Sequence, residues 1–110
     1  MFFEDRKILV YKDPVDMKKS FDSLFSLVKS LGVFEGNVFI FLSKNRKRSK
    51  TLFWDGSGLN ILMTRMEYGK FADIFRRDTL SQEVLYQFYQ GSKTIARTNI
   101  QLSGALANKK

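Results

Sequence analysis

Five cations fall within seven residues of the stretch "LSKNRKRSKTLFWDGSGL" (residues 42–59): Lys44, Arg46, Lys47, Arg48 and Lys50. Ammonium and guanidinium groups at this density repel one another, and that repulsion drops when phosphates come between them. A nucleic-acid duplex carries one negative charge per ~1.7 Å of axis, so a hairpin tip of this size spans several phosphates. A two-stranded ribbon also matches the dimensions of a major groove. A solvated, solubilising hairpin tip accounts for the same residues, and the residue types alone leave both readings open. Arg65 and Lys70 extend the patch if strand geometry brings them to the same face.

Other chemistries find fewer residues. The chain has no His and no Cys, which removes the imidazole base, the thiol nucleophile, the zinc knuckle and the disulfide. Eleven carboxylates remain. Asp13 and Asp16 read as helix-start charges, Asp22 projects from a polar helix side, and Asp55 and Glu67 lie in turns, so a Mg²⁺ site of the nuclease kind has no obvious members. The "GSG" at 56–58 precedes neither Lys-Ser/Thr nor a helix, and the phosphate-loop reading fails. The expectation is a protein with no catalytic residue, no metal and no cofactor.

Aromatic residues at strand positions are core more often than stacking platforms. Phe39, Phe41, Phe53 and Trp54 carry that choice. Successive strand residues face opposite ways, so Phe53 and Trp54 cannot share a face. Trp54 is the candidate for a second core or a partner-facing ring.

The elements that would position these groups follow from periodicity. "ILVY" (8–11) has strand length and composition. Asp13-Pro14 marks a helix start. Phe21, Leu24, Phe25, Val28 and Leu31 then recur at helical spacing as one apolar stripe, up to Gly32. "NVFIFL" (37–42) is apolar on both faces and reads as a central strand covered on two sides. "KTLFW" (50–54) and "LNILMTRM" (59–66) are the next strands, joined by the turn "DGSG". "EYGKF" is a further turn. Ser81 caps a second helix, with Leu80 placed to staple onto Leu85, and Gly91 stops it.

This order predicts an α+β domain over 1–91: a mostly antiparallel sheet of about four strands, one amphipathic helix across a face, and a second, C-terminal helix. Residues 92–110 lack periodicity and read as a weakly ordered tail.

The bulk numbers agree with one domain and an anionic partner. The 110-residue chain carries a formal charge of +8, and residues 36–71 hold seven basic residues against two acidic ones. No apolar run approaches the ~20 residues of a membrane span, and the start "MFFEDRKILVYKD" has no signal-peptide pattern. A cytoplasmic location is the expectation, and absent cysteine fits it.

Four blocks, in order from residue 7 to about 91, resemble one family. "VDMKKSFDSLFSLV" resembles the "T-D-M-R-K-[SG]-F-D-G-L" signature of the TnpB (Orf2-like) accessory proteins of IS-sixty-six type bacterial insertion sequences, which are distinct from the RNA-guided nucleases of the same name. "GNVFIFLSKNRKRSKTLFWDGSGLNIL" is similar to the family's strand, basic loop and "W-D-G-[ND]-G" block. "RMEYGKF" is similar to "R-L-E-x-G-[RK]-F", and "LSQEVLYQF" to the closing helix. Departures are Val15 for Thr, Ser20 and Ser23 at positions often Gly, and Val84-Leu85 in the closing helix.

The resemblance implies a non-catalytic protein that assists a separate transposase, near the bacterial nucleoid. It carries over Lys18, Lys19, Trp54, Asp55, Arg65 and Lys70 as family-motif positions. Of these, the cations Lys18, Lys19, Arg65 and Lys70 have no structural need evident in the sequence. The expected partners are DNA, held with low sequence specificity at element ends or target, and the transposase. An adaptor that binds only the transposase is the alternative.

Overall fold

Seven elements run along residues 3–91, the part of the chain that the computed structural model describes. They are β1 (Ile8–Val10), α1 (Phe21–Val28), β2 (Val38–Leu42), β3 (Arg48–Trp54), β4 (Leu59–Arg65), β5 (Thr79–Leu80) and α2 (Gln82–Tyr89). The expected tail over 92–110 lies outside these residues.

The sheet has five strands in the order β4-β3-β2-β1-β5. It is mixed: β1 pairs with β2 in parallel, and the other three pairings are antiparallel. This corrects the expected four-stranded, mostly antiparallel sheet, while the α+β class stands. The missed strand, β5, has two residues, too few to show any alternation. The parallel β1–β2 pair follows from α1, because parallel neighbours need a crossover of a dozen residues or more between them.

As its sequence suggested, β2 is central and buried at every position. Val38, Ile40 and Leu42 point into one core with Phe71, Ile74, Leu85, Phe88 and Tyr89. Phe39 and Phe41 point into the other, with Leu24, Val28, Val33 and Leu52. α1 therefore covers one face, and α2 with the 71–80 segment covers the second. Phe53 and Trp54 divide between the two, Phe53 edge-on to Phe3 and Trp54 edge-on to Phe34. On the α2 face the buried hydroxyls of Thr51 and Tyr89 hydrogen-bond each other.

The first helix starts seven residues later than Asp13-Pro14 predicts, at Phe21 with Ser20 as N-cap. The reason is tertiary. Tyr11 N–H donates to the Ile40 carbonyl at 3.0 Å and Val15 N–H to the Leu42 carbonyl at 3.1 Å, so 11–15 runs beside β2. Val15 is buried there. Asp16 instead closes a short turn, accepting the Lys18 N–H at 2.9 Å. With the helix shortened, Leu24 and Val28 are fully buried, but Phe21 and Leu31 stand 45% and 51% exposed. Gly32, at φ 90°, turns the chain back toward β2. A Cβ there would meet the Asn37 amide nitrogen at 2.5 Å, and that amide already donates to the Leu31 carbonyl at 2.8 Å. The second helix is as read: Ser81 is its N-cap and accepts the Val84 N–H at 3.1 Å.

Candidate nucleic-acid interface

Residues 43–47 make the β2–β3 turn, and the polar side chains inside it fix its shape. Ser43 Oγ donates to Asn45 Oδ1 at 2.8 Å, and Asn45 Oδ1 accepts the Lys47 N–H at 3.0 Å. Arg48 N–H donates to Ser43 Oγ at 3.1 Å. Arg46 sits at the apex with φ 59°, a left-handed conformation uncommon outside Gly, Asn and Asp.

This turn is not the free-standing tip that the sequence suggests. The Lys47 carbonyl accepts the Met66 N–H at 2.8 Å, and the Arg46 carbonyl accepts the Phe71 N–H at 2.7 Å. The 66–71 segment is thus fastened to it. The tether brings Lys70 beside Arg46, around a depression of about 380 Å³ that also includes Gly69, Phe71 and Ala72.

On the other side of the turn the cations gather. Lys44, Lys47 and Arg48 from the turn and β3, Arg65 from β4, and Lys18 from the loop before α1 line one open concavity of about 730 Å³. Met17, Met63 and Met66 lie among them. The register explains the convergence, since Arg48 and Arg65 are directly opposed partners across β3–β4. Like charges so placed repel. Glu67 partly relieves them, its Oε2 accepting from Arg65 Nε at 3.0 Å and from an Arg65 terminal nitrogen at 2.8 Å. Both partners of that ion pair are well exposed, so it contributes little to stability and leaves Arg65 available to a competing anion.

Lys50 departs from the expectation. Its ammonium is not free on the tip but donates to the Met17 carbonyl at 2.7 Å and the Lys19 carbonyl at 3.0 Å. It is a tether that holds the 16–19 loop over the sheet, with Lys18 at the concavity's rim. Lys19 is exposed beside this loop.

Trp54 and Asp55 are not part of this face. They lie at the other end of the seven-residue β3, ~20 Å away at strand rise. Asp55 organises the β3–β4 turn, accepting the N–H groups of Ser57 and Gly58 at 2.9 and 2.8 Å and the Asn60 amide at 2.9 Å. The Ser57 N–H above all, then the Asn60 amide, hold its carboxyl well below the usual carboxylate range. Around Trp54 an aromatic surface forms: Phe25 packs edge-on to Phe34, and Phe34, 54% exposed, packs edge-on to Trp54.

Among the described residues no three carboxylates gather into a set that could hold a metal ion. No described helix is long and apolar enough to cross a membrane. The sequence reading missed Met63, 50% exposed in the middle of the cations. Its place in a strand pattern gave no signal, because β4 is an edge strand and periodicity does not say how far an edge strand is covered.

The family described as IS66 Orf2 like protein matches residues 6–97. The uncharacterized protein y4jC of Sinorhizobium fredii (strain NBRC 101917 / NGR234) is 34% identical over 68 residues, 59% of this chain. That match spans 58% of the relative's own length. No solved structure matches. With most of its length covered by that one family, including the strands, turns and helices that build the basic face, the chain belongs to the IS66 Orf2-like family of insertion-sequence proteins.

Proposed function

We propose that this chain is a non-catalytic accessory protein of an insertion-sequence transposition system. It acts in the bacterial cytoplasm and holds DNA by its phosphates on the basic face to assist the transposase. One observation carries the reading: cations from three separate segments, Lys18, the Lys44–Arg48 turn and Arg65, converge on one concavity. Such convergence has no stabilising role in the fold; Arg48 opposite Arg65 costs stability until an anion lies between them. Family membership supplies the transposition context, and phosphate contacts alone give low sequence specificity.

Fluorescence anisotropy with duplex DNA across a salt series tests it, with wild type and an Arg46→Glu, Lys47→Glu, Arg48→Glu variant checked for folding. The expected log–log slope is about −3 or steeper, at ~−0.9 per phosphate neutralised, and the variant loses binding. No DNA affinity at low salt sinks the proposal.

A second reading is an adaptor that binds the transposase alone. The exposed Phe34, with Trp54 and Phe25, favours it, since aromatic residues are enriched where proteins dock. Salt-tolerant co-purification with the transposase, without a DNA complex, supports that reading over the first.

A further inference from the structure

The concavity between the cations is more than a flat basic patch. Met17 and Met63 contribute to its lining, and Met63 is 50% exposed at a position flanked by Arg48 and Arg65, whereas the Met66 thioether turns to the α2 side, against Gly91. An exposed apolar side chain gains nothing from phosphates. A double helix, whose major groove alone is ~12 Å wide, cannot enter a space of about 730 Å³. A single nucleotide can, since sites for small ligands run from roughly 300 to 1,000 Å³. Methionine suits such a ligand: its sulfur is polarisable, makes favourable contacts with aromatic rings, and its unbranched chain adapts to different shapes.

We infer that the concavity takes an unpaired nucleotide of a nucleic-acid strand, phosphates on the cationic rim and base on the methionine floor. This rests on the DNA-binding reading and narrows it, from duplex phosphates in general to a strand that is single or has been opened. Glu67, already paired with Arg65, is the group that the incoming phosphate displaces. Because the floor reads a base face and not its hydrogen-bonding edge, the preference is for unpaired structure and not for sequence.

Anisotropy at one low salt concentration tests it with four probes of matched phosphate number: a blunt hairpin duplex, the same duplex with a single-stranded extension, oligo-dT and oligo-U. The extended duplex and the single strands are expected to bind up to about tenfold tighter than the blunt hairpin, the upper size of a sulfur–ring contact. Met63→Ala removes most of that gap by weakening the single-stranded probes more than the blunt duplex, while Met63→Leu keeps it. Oligo-U bound in preference to oligo-dT supports the inference and assigns the floor to RNA; the reverse supports it and assigns the floor to opened DNA. Blunt duplex bound as tightly as the others, or Met63→Ala weakening every probe alike, overturns the inference and leaves the phosphate reading standing. If no probe binds, both fall.

Discussion

Arg46 holds the apex of the basic turn at φ 59°, where an L-residue other than Gly is strained by roughly 1–2 kcal/mol. Arg46→Gly is therefore expected to leave thermal stability unchanged or raise it, by up to about 1 kcal/mol. Arg46 lies outside the cationic concavity, so the DNA salt slope is expected to change by less than the ~0.9 of a full phosphate contact. Thermal melts beside the salt series check both. The Asp55 carboxyl is held below the ordinary range in the folded chain, chiefly by the Ser57 N–H. The unfolded chain takes up the proton first, near pH ~3.9, so the stability that this carboxylate contributes is present above that pH and is lost as pH falls below it. Asp55→Asn, which keeps an acceptor in the turn, lowers the melting temperature at neutral pH, and its gap to wild type narrows toward pH 2. At this scale the sequence was a good guide to charge and a poor one to direction. Lys44, Lys47, Arg48 and Arg65 are where a phosphate could reach them. Lys50, indistinguishable from them by type and spacing, points into the loop before α1. Arg48 and Lys50 share a face of β3, and what separates them is the 16–19 loop, whose carbonyls lie over Lys50 alone.

Among the elements, the loop at 16–19 decides whether Lys18 joins the site. It is held by Lys50 from across the sheet and by the Asp16 turn. Lys50→Met is expected to cost about 2 kcal/mol, the scale of hydrogen bonds from a charged donor, and to weaken DNA binding although Lys50 touches no ligand. A purely electrostatic contact would give the second effect without the first; parallel melts and anisotropy separate them. Helix α1 shows why local signals were overridden. Asp13-Pro14 is a sound start signal, yet the N–H groups of Tyr11 and Val15 find the β2 carbonyls, and the helix waits for Ser20. Leu31 falls beyond the end of α1, and Phe21 at its first turn is half exposed. By contrast the second helix was legible from its cap to its stop, because Ser81 and Gly91 act through bonds inside their own segment.

Across the whole molecule the two ends of the β3–β4 hairpin carry different surfaces. Cations from three segments occupy the end at the β2–β3 turn, and Phe34 with Trp54 the end at the Asp55 turn. The sheet that separates them was half legible. The central position of β2 and the two-sided core could be read from "NVFIFL", whereas the parallel β1–β2 pair and the two-residue β5 depend on pairings that no local pattern encodes. On the proposed function, DNA engages one end and the other stays free for a protein. An amide chemical-shift titration with a short DNA, on the ¹⁵N-labelled chain, tests this most directly. The account predicts shifts concentrated at residues 16–18, 43–48 and 63–66, with little change around 31–34 and 54–59. Shifts centred on Phe34 and Trp54, or none anywhere at low salt, would contradict it.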